Sequence, residues 1–115
     1  MAGGYSPSML RAIQTAVLTS KALEISKAVH TAIDFKDAFW MATLGGAQAL
    51  GIDQDTGSFA EGKSFDAIVV DTATPKNVDM SDMDTPMDIF QKIIHNGDER
   101  NVHRVYVNGS LVHHR

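Results

Sequence analysis

The run from Phe39 to Val70 limits the folds open to this chain more than any other stretch. Its first half, Phe39-Trp-Met-Ala-Thr-Leu-Gly-Gly-Ala-Gln-Ala-Leu-Gly51, places apolar residues at helical spacing and ends on glycine. Ala42, Thr43, Gly45, Gly46, Ala47 and Ala49 give that helix a face of small residues that can approach another backbone closely. Gly51 stands where a helix C-terminus takes a left-handed residue. Gly62 falls in a tight turn, and Phe65 to Val70 is apolar enough to call for a covered strand. The order is helix, stop, turn, strand, so the chain mixes helix and sheet.

The flanks extend this pattern. Ala2 to Tyr5 is a glycine-rich loop, and Ser6-Pro7 supplies a cap and a proline at the first helical position. Met9, Leu10, Ile13, Ala16, Val17 and Leu23 then recur at intervals of three and four, with Arg11, Gln14 and Lys21 opposite them, which predicts a helix over about 7–28. Thr31 to Ile33 is a link. Asp34, with Asp37 three residues on, has the spacing of a capping box for the helix whose face is Phe35, Ala38, Phe39, Ala42, Gly46 and Ala49. Two consecutive glycines in that helix cost about 1 kcal/mol each against alanine, which calls for close packing in return.

After Asp71 the composition shifts. Asp71, Asp79, Asp82, Asp84 and Asp88 alternate with Met80, Met83, Met87 and two prolines, so Thr72 to Thr85 reads as a surface loop. Thr85-Pro86-Met87-Asp88 opens another helix, over about 86–96, with Ile89, Phe90, Ile93 and Ile94 as its apolar face and Gly97 as its stop. Asn108-Gly109 between Arg104–Val107 and Ser110–His113 predicts a two-residue hairpin.

The totals exclude several classes. A chain of 115 residues holds one domain at most. A net charge of −4 argues against a nucleic-acid partner or an anionic membrane surface. The absence of cysteine excludes disulfides, thiolate metal sites and the cysteine-ligated deaminase signature. No secretory leader is visible, and no apolar run approaches the ~20 residues of a membrane span. Gly3-Gly4 and Gly45-Gly46 fit neither phosphate-cradling glycine pattern, and Glu61-Gly62-Lys63-Ser64 holds only the tail of one. Asp79, Asp82 and Asp84 could offer oxygens to a hard cation, but they lack the glycine and closing glutamate of a calcium loop, so a solvated loop is the better reading.

Several segments together resemble the amidohydrolase superfamily. They are Ala42-Thr-x-x-x-Ala-x-x-Leu-Gly51, then Gly57-x-Phe-x-x-Gly-Lys-x-x-Asp-Ala-Ile-Val-Val70, Ala2 to Leu10, and Gly97-Asp-Glu-Arg-Asn-Val102 followed by Val105-Tyr-Val-Asn-Gly109. The likeness covers essentially the whole chain and points to the C-terminal part of a longer protein. It implies an α/β fold: the C-terminal piece of a metal-dependent hydrolase (TIM) barrel plus part of a composite β-sandwich, incomplete alone. Residues 1–51 would be the final barrel helices. Residues 52–115 would be the C-terminal part of the small sandwich domain, with one helix. A complete barrel takes roughly 250 residues, more than this chain has.

The function implied belongs to a purine-deaminating branch of that superfamily: hydrolysis of guanine to xanthine and ammonia in purine catabolism. One zinc ion would activate the attacking water in a cytoplasmic, homodimeric parent enzyme. The superfamily ligates its metal with a His-x-His pair, two further histidines and an aspartate. Here His30, His95, His103, His113 and His114 include no His-x-His pair. His113 and His114 are adjacent and would point to opposite faces of a strand. The branch's aspartate sits in Thr-Asp-x-Ala-Gly-Gly, which would place it just ahead of Met1. The other ligands and the acid/base glutamate would lie upstream too. No catalytic, substrate-binding or metal residue is therefore assigned to this chain, which is expected to bind no zinc and to be inactive by itself. An alternative is a truncated, non-catalytic module that associates with full-length subunits. A free-standing α+β domain of unrelated function is a third reading.

Overall fold

The computed structural model describes residues 6–28, 31–74 and 76–115. The readings made for Ala2 to Tyr5 and for His30 lie outside them. The elements run α1 (Met9–Ile25), α2 (Phe35–Ala42), α3 (Leu44–Leu50), β1 (Ala67–Val70), α4 (Pro86–Asn96), a short 3₁₀ turn (Glu99–Asn101), β2 (Val102–Val107) and β3 (Ser110–His114). The three strands form an antiparallel sheet in the order β1-β2-β3.

Helix α1 starts two residues later than Ser6-Pro7 predicts. Ser8 is the cap, its hydroxyl accepting from Arg11 N–H, while Ser6 Oγ accepts from Ser8 N–H. Ile13 and Val17 are buried as their spacing requires, but Met9 and Leu23 are exposed. Gln14 departs from its expected place on the polar side. Its amide donates to the carbonyls of Ile94, His95 and Gly97, capping the end of α4. Farther along the same face, Ser20 Oγ accepts from Ile33 N–H and the Glu24 carboxylate from Ala32 N–H. The inner face of α1 is thus apolar in its first half and polar in its second, where it binds the Ala32–Ile33 link.

Asp34 and Asp37 form the predicted capping box, Asp34 accepting from Lys36 and Asp37 N–H while Asp37 accepts from Asp34 N–H. The helix they start does not run unbroken to Gly51. It breaks at Thr43 (φ −122°, ψ −101°), whose hydroxyl donates to Phe39 O. The break turns α3 relative to α2, so that Ala47, and not Ala49, is buried. Gly45 then lies under the Trp40 ring, where a Cβ would stand 2.8 Å from Cζ3. This is the close packing that the glycine pair called for. Gly51 ends α3 at φ +70°.

One core joins α1, α2 and α4: Ile13, Val17, Phe35, Ala38 and Ile94 are buried, with Leu10, Ala16, Ile33, Ala42 and Phe90 packed on them. Phe90 meets Phe35 at 5.8 Å and Phe39 edge-on at 4.9 Å between ring centroids. Helix α4 spans the predicted residues. It is capped by Thr85 and Asp88 in a full box, with Pro86 at its start.

The sheet departs further from expectation. Strand β1 is shorter than Phe65–Val70, and it is not covered within this chain: Ile68 is 59% exposed and Val69 42%. Because successive strand residues point to opposite faces, both faces of β1 are open. The hairpin forms as Asn108-Gly109 predicts, with φ +48° and +76° at the two turn residues. The acidic loop is less of a surface segment than its composition implies, since Val78 within it is 2% exposed.

Candidate functional site

Three of the segments that carry the superfamily resemblance, Ala42–Gly51, Gly57–Val70 and the hairpin turn at Asn108, meet where α3 crosses into the sheet. Gly57, at φ +90°, lies against α3, and a Cβ on it would come within 2.7 Å of Ala47 Cβ. Lys63 folds back over the turn and donates to Asp53 O and to Ser58 Oγ. Asp66 accepts from Thr56 Oγ at 2.8 Å and from Asn108 N–H at 2.7 Å, tying the hairpin tip to the loop before β1. Those two bonds, the Asn108 amide first, hold its carboxyl below the ordinary range. The Gly-x-Phe-x-x-Gly-Lys-x-x-Asp pattern therefore works here as a latch that fixes the crossing from helix to strand.

A second polar centre closes the other end of the sheet. Asn101 is 2% exposed. Its side-chain amide donates to Asp71 O at 2.8 Å and to Asn77 Oδ1 at 3.0 Å. Its Oδ1 accepts from Asn77 Nδ2 at 2.8 Å and from Asp98 N–H at 3.0 Å, and its backbone carbonyl accepts from Asp71 N–H. Asn77 also donates to Asn96 O, at the end of α4. Two asparagine side chains thus join the end of β1, the acidic loop, α4 and the start of β2. The sequence reading did not single out either. Asn101 sits inside the Gly97–Val102 motif, so its neighbourhood was visible, but its burial depends on a loop residue 24 positions away.

Among the described residues, the histidines do not gather at one point. His95 stacks edge-on against Phe35 at 6.0 Å. His103 and His114 have ring centroids 5.2 Å apart, while His113 pairs across the sheet with Val105. Three of the carboxylates, Asp84, Asp98 and Asp71, are engaged elsewhere. Asp84 takes Lys92 Nζ at 2.6 Å and Ser81 N–H at 2.8 Å, and the Lys92 ammonium is the first cause of its lowered pKa. Asp98 takes the Arg100 guanidinium through both oxygens, and its pKa falls to about 2. Asp71 closes a turn on Ala73 and Thr74 N–H. Among the described residues, no group of three or more His, Asp or Glu is placed to hold a metal ion. The side chains of the described residues do not fit a zinc site. Nor, among the described residues, is any helix long and apolar enough to cross a membrane.

Comparison with known proteins identifies the setting of these two latches. The amidohydrolase family model matches residues 1–112. Guanine deaminase of Rattus norvegicus is 44% identical over 97% of this chain, and that of Homo sapiens 42% identical over the same share. Among solved structures, E. coli guanine deaminase superposes with a TM-score of 0.73 at 35% identity, covering 97% of this chain. Guanine deaminase from C. acetobutylicum, with guanine bound in its active site, gives 0.74 at 27% identity over 96%. The chain spans about a quarter of the length of each of these relatives. By the match of the family model to nearly all of it, by the motif residues that latch helix to sheet, and by these relatives, the chain belongs to the amidohydrolase family.

Proposed function

We propose that this chain is the C-terminal segment of a guanine deaminase-like hydrolase, the whole of which converts guanine and water to xanthine and ammonia in purine catabolism. The observation that carries the reading is the 44% identity to a guanine deaminase along 97% of the chain. Residues 1–51 are then the last helices of a metal-dependent hydrolase barrel, and residues 52–115 the C-terminal part of its small sandwich domain. Zinc is the metal of the parent, held by residues upstream of these. The parent is a cytoplasmic homodimer with a purine as its small-molecule substrate.

The contribution of this segment is architectural. The latches at Lys63, Asp66 and Asn101 hold a barrel-side helical layer and a sandwich-side sheet in one fixed relation. The segment supplies no atom to the reacting centre and is inactive by itself.

The test compares two polypeptides: these 115 residues alone, and the same residues joined to an upstream amidohydrolase barrel segment. The longer form, loaded with zinc, is expected to release ammonia from guanine, and the shorter to release none and to retain no stoichiometric zinc. A longer form that deaminates a pterin or another purine while leaving guanine untouched would overturn the substrate assignment. Turnover by the short form would overturn the architectural role.

A further inference from the structure

The chain carries two Asn-Gly pairs, Asn96-Gly97 and Asn108-Gly109, and the fold treats them differently. This dipeptide is where an asparagine side chain is attacked most readily by the next backbone nitrogen, because glycine places no side chain in the way. Whether attack occurs depends on the freedom of that nitrogen and on the polarisation of the side-chain carbonyl.

At Asn96 the nitrogen is restrained, and no bond polarises the side-chain carbonyl among the described residues. Gly97 is buried, its N–H closes the last turn of α4 on Ile93 O at 2.9 Å, and a Cβ there would collide with Ile93 O. Asn96 O is held by Asn77, and the carbonyls of Ile94, His95 and Gly97 by Gln14. Freeing the Gly97 nitrogen means undoing the end of α4 together with its contact to α1.

At Asn108 the glycine nitrogen is held at the surface and not in the core. Asn108, Gly109 and Ser110 are exposed, and Asn108 is a non-glycine residue at φ +48° on the hairpin tip. The Gly109 N–H bonds to Phe65 O at 3.0 Å, outside the paired part of β1, so a local opening of the sheet end releases it. The side-chain oxygen of Asn108 accepts from Ser64 Oγ at 3.3 Å. That hydroxyl draws electron density from Cγ and stands where negative charge would gather on the oxygen during attack.

We propose that Asn108-Gly109 is a self-modifying turn, deamidated through a cyclic imide with Ser64 as the hydrogen-bond donor that assists it. The Gly109 nitrogen bonds to Asn108 Cγ, and its proton passes to the departing amide. The Cγ–Nδ2 bond breaks and ammonia leaves. Water then adds to either imide carbonyl and opens the ring to aspartate or isoaspartate at position 108. Isoaspartate inserts a methylene into the main chain, which the two-residue turn cannot accommodate without losing its register. Either product places a second carboxylate beside Asp66, whose bond to the residue 108 N–H secures the tip. The modification therefore unfastens the hairpin from the helix-to-strand crossing.

The test is a time course of the full chain in native, mildly alkaline buffer, with peptide mapping by mass spectrometry and enzymatic assay of isoaspartate. Conversion at position 108 is expected to outrun that at 96 by at least about tenfold. In urea the two rates should converge. Ser64→Ala should slow conversion at 108 by about three- to tenfold, the rate equivalent of one ordinary hydrogen bond, and Ser64→Thr should keep the original rate. Equal native rates at the two pairs, or faster conversion at 96, would overturn the proposal. A Ser64→Ala rate equal to that of the unsubstituted chain would remove Ser64 from it.

Discussion

Asn101 shows what one buried amide can hold. Both of its donors and its acceptor are used, and its partners, Asp71, Asn77 and Asp98, come from three separate segments. Asn101→Ala would leave Asp71 O, Asn77 Oδ1 and the Asp98 N–H without the partner that Asn101 supplies, in a half-buried site. That should cost about 2–4 kcal/mol, read as a lower urea midpoint with an unchanged slope. Asp98 offers a test by pH. Its folded pKa, about 2, lies below its ordinary 3.8, because Arg100 bonds the charged form. The sign follows from linkage: the contribution is whole above about 3.8 and is lost as pH falls through about 2. Arg100→Ala should return the Asp98 titration, followed by NMR, toward 3.8, and Asp98→Asn should flatten the stability profile over that window.

The helices differ in how far their own residues decide them. The capping boxes at Asp34 and Thr85 are local, made between residues three apart, and were legible from spacing alone. Thr85→Ala should cost about 1 kcal/mol of stability by removing the cap of α4. Glycine positions separate local need from tertiary need. Gly51 has a positive φ and open space around it, so Gly51→Ala should cost about 1 kcal/mol and Gly51→Asn less. Gly57 has a positive φ and Ala47 against it, so Gly57→Ala should cost about 2–4 kcal/mol when both variants are compared by urea unfolding. A Gly57→Ala loss no larger than that of Gly51→Ala would show that α3 does not press on the turn. The break at Thr43 was not legible, because the apolar pattern runs through it. Only the seat of Trp40 over Gly45 and of Ala47 against Gly57 selects two short helices over one.

Taken whole, the molecule is extended for its length. Its radius of gyration is 15.6 Å, where a compact domain of this size has about 13 Å. Leu18, Ile25, Trp40, Met41, Phe59, Phe65, Ile68, Leu111 and Val112 are all exposed, on the helical layer and on the sheet alike. Both edge strands are short, and β3 is exposed along its full run. Such surfaces drive association. Sedimentation velocity of the 115-residue chain should therefore show concentration-dependent self-association, reduced by Leu111→Lys together with Ile68→Lys. A single monomeric species across a wide concentration range would contradict this.

Local chemistry in the sequence determined where the elements start and stop. Aspartate and threonine caps, a proline at a helix start, a left-handed glycine and an Asn-Gly turn each act over a few residues, within reach of a linear reading. The motif residues likewise placed the chain in its family. Tertiary structure decided which surfaces those elements hide. Gln14 turned inward because the end of α4 offered it unpaired carbonyls. Val78 and Asn101 were buried because segments distant in sequence closed over them, and β1 stayed open because nothing among the described residues covers its faces. Caps and turns are satisfied by neighbours along the chain, whereas burial requires partners that only folding brings near.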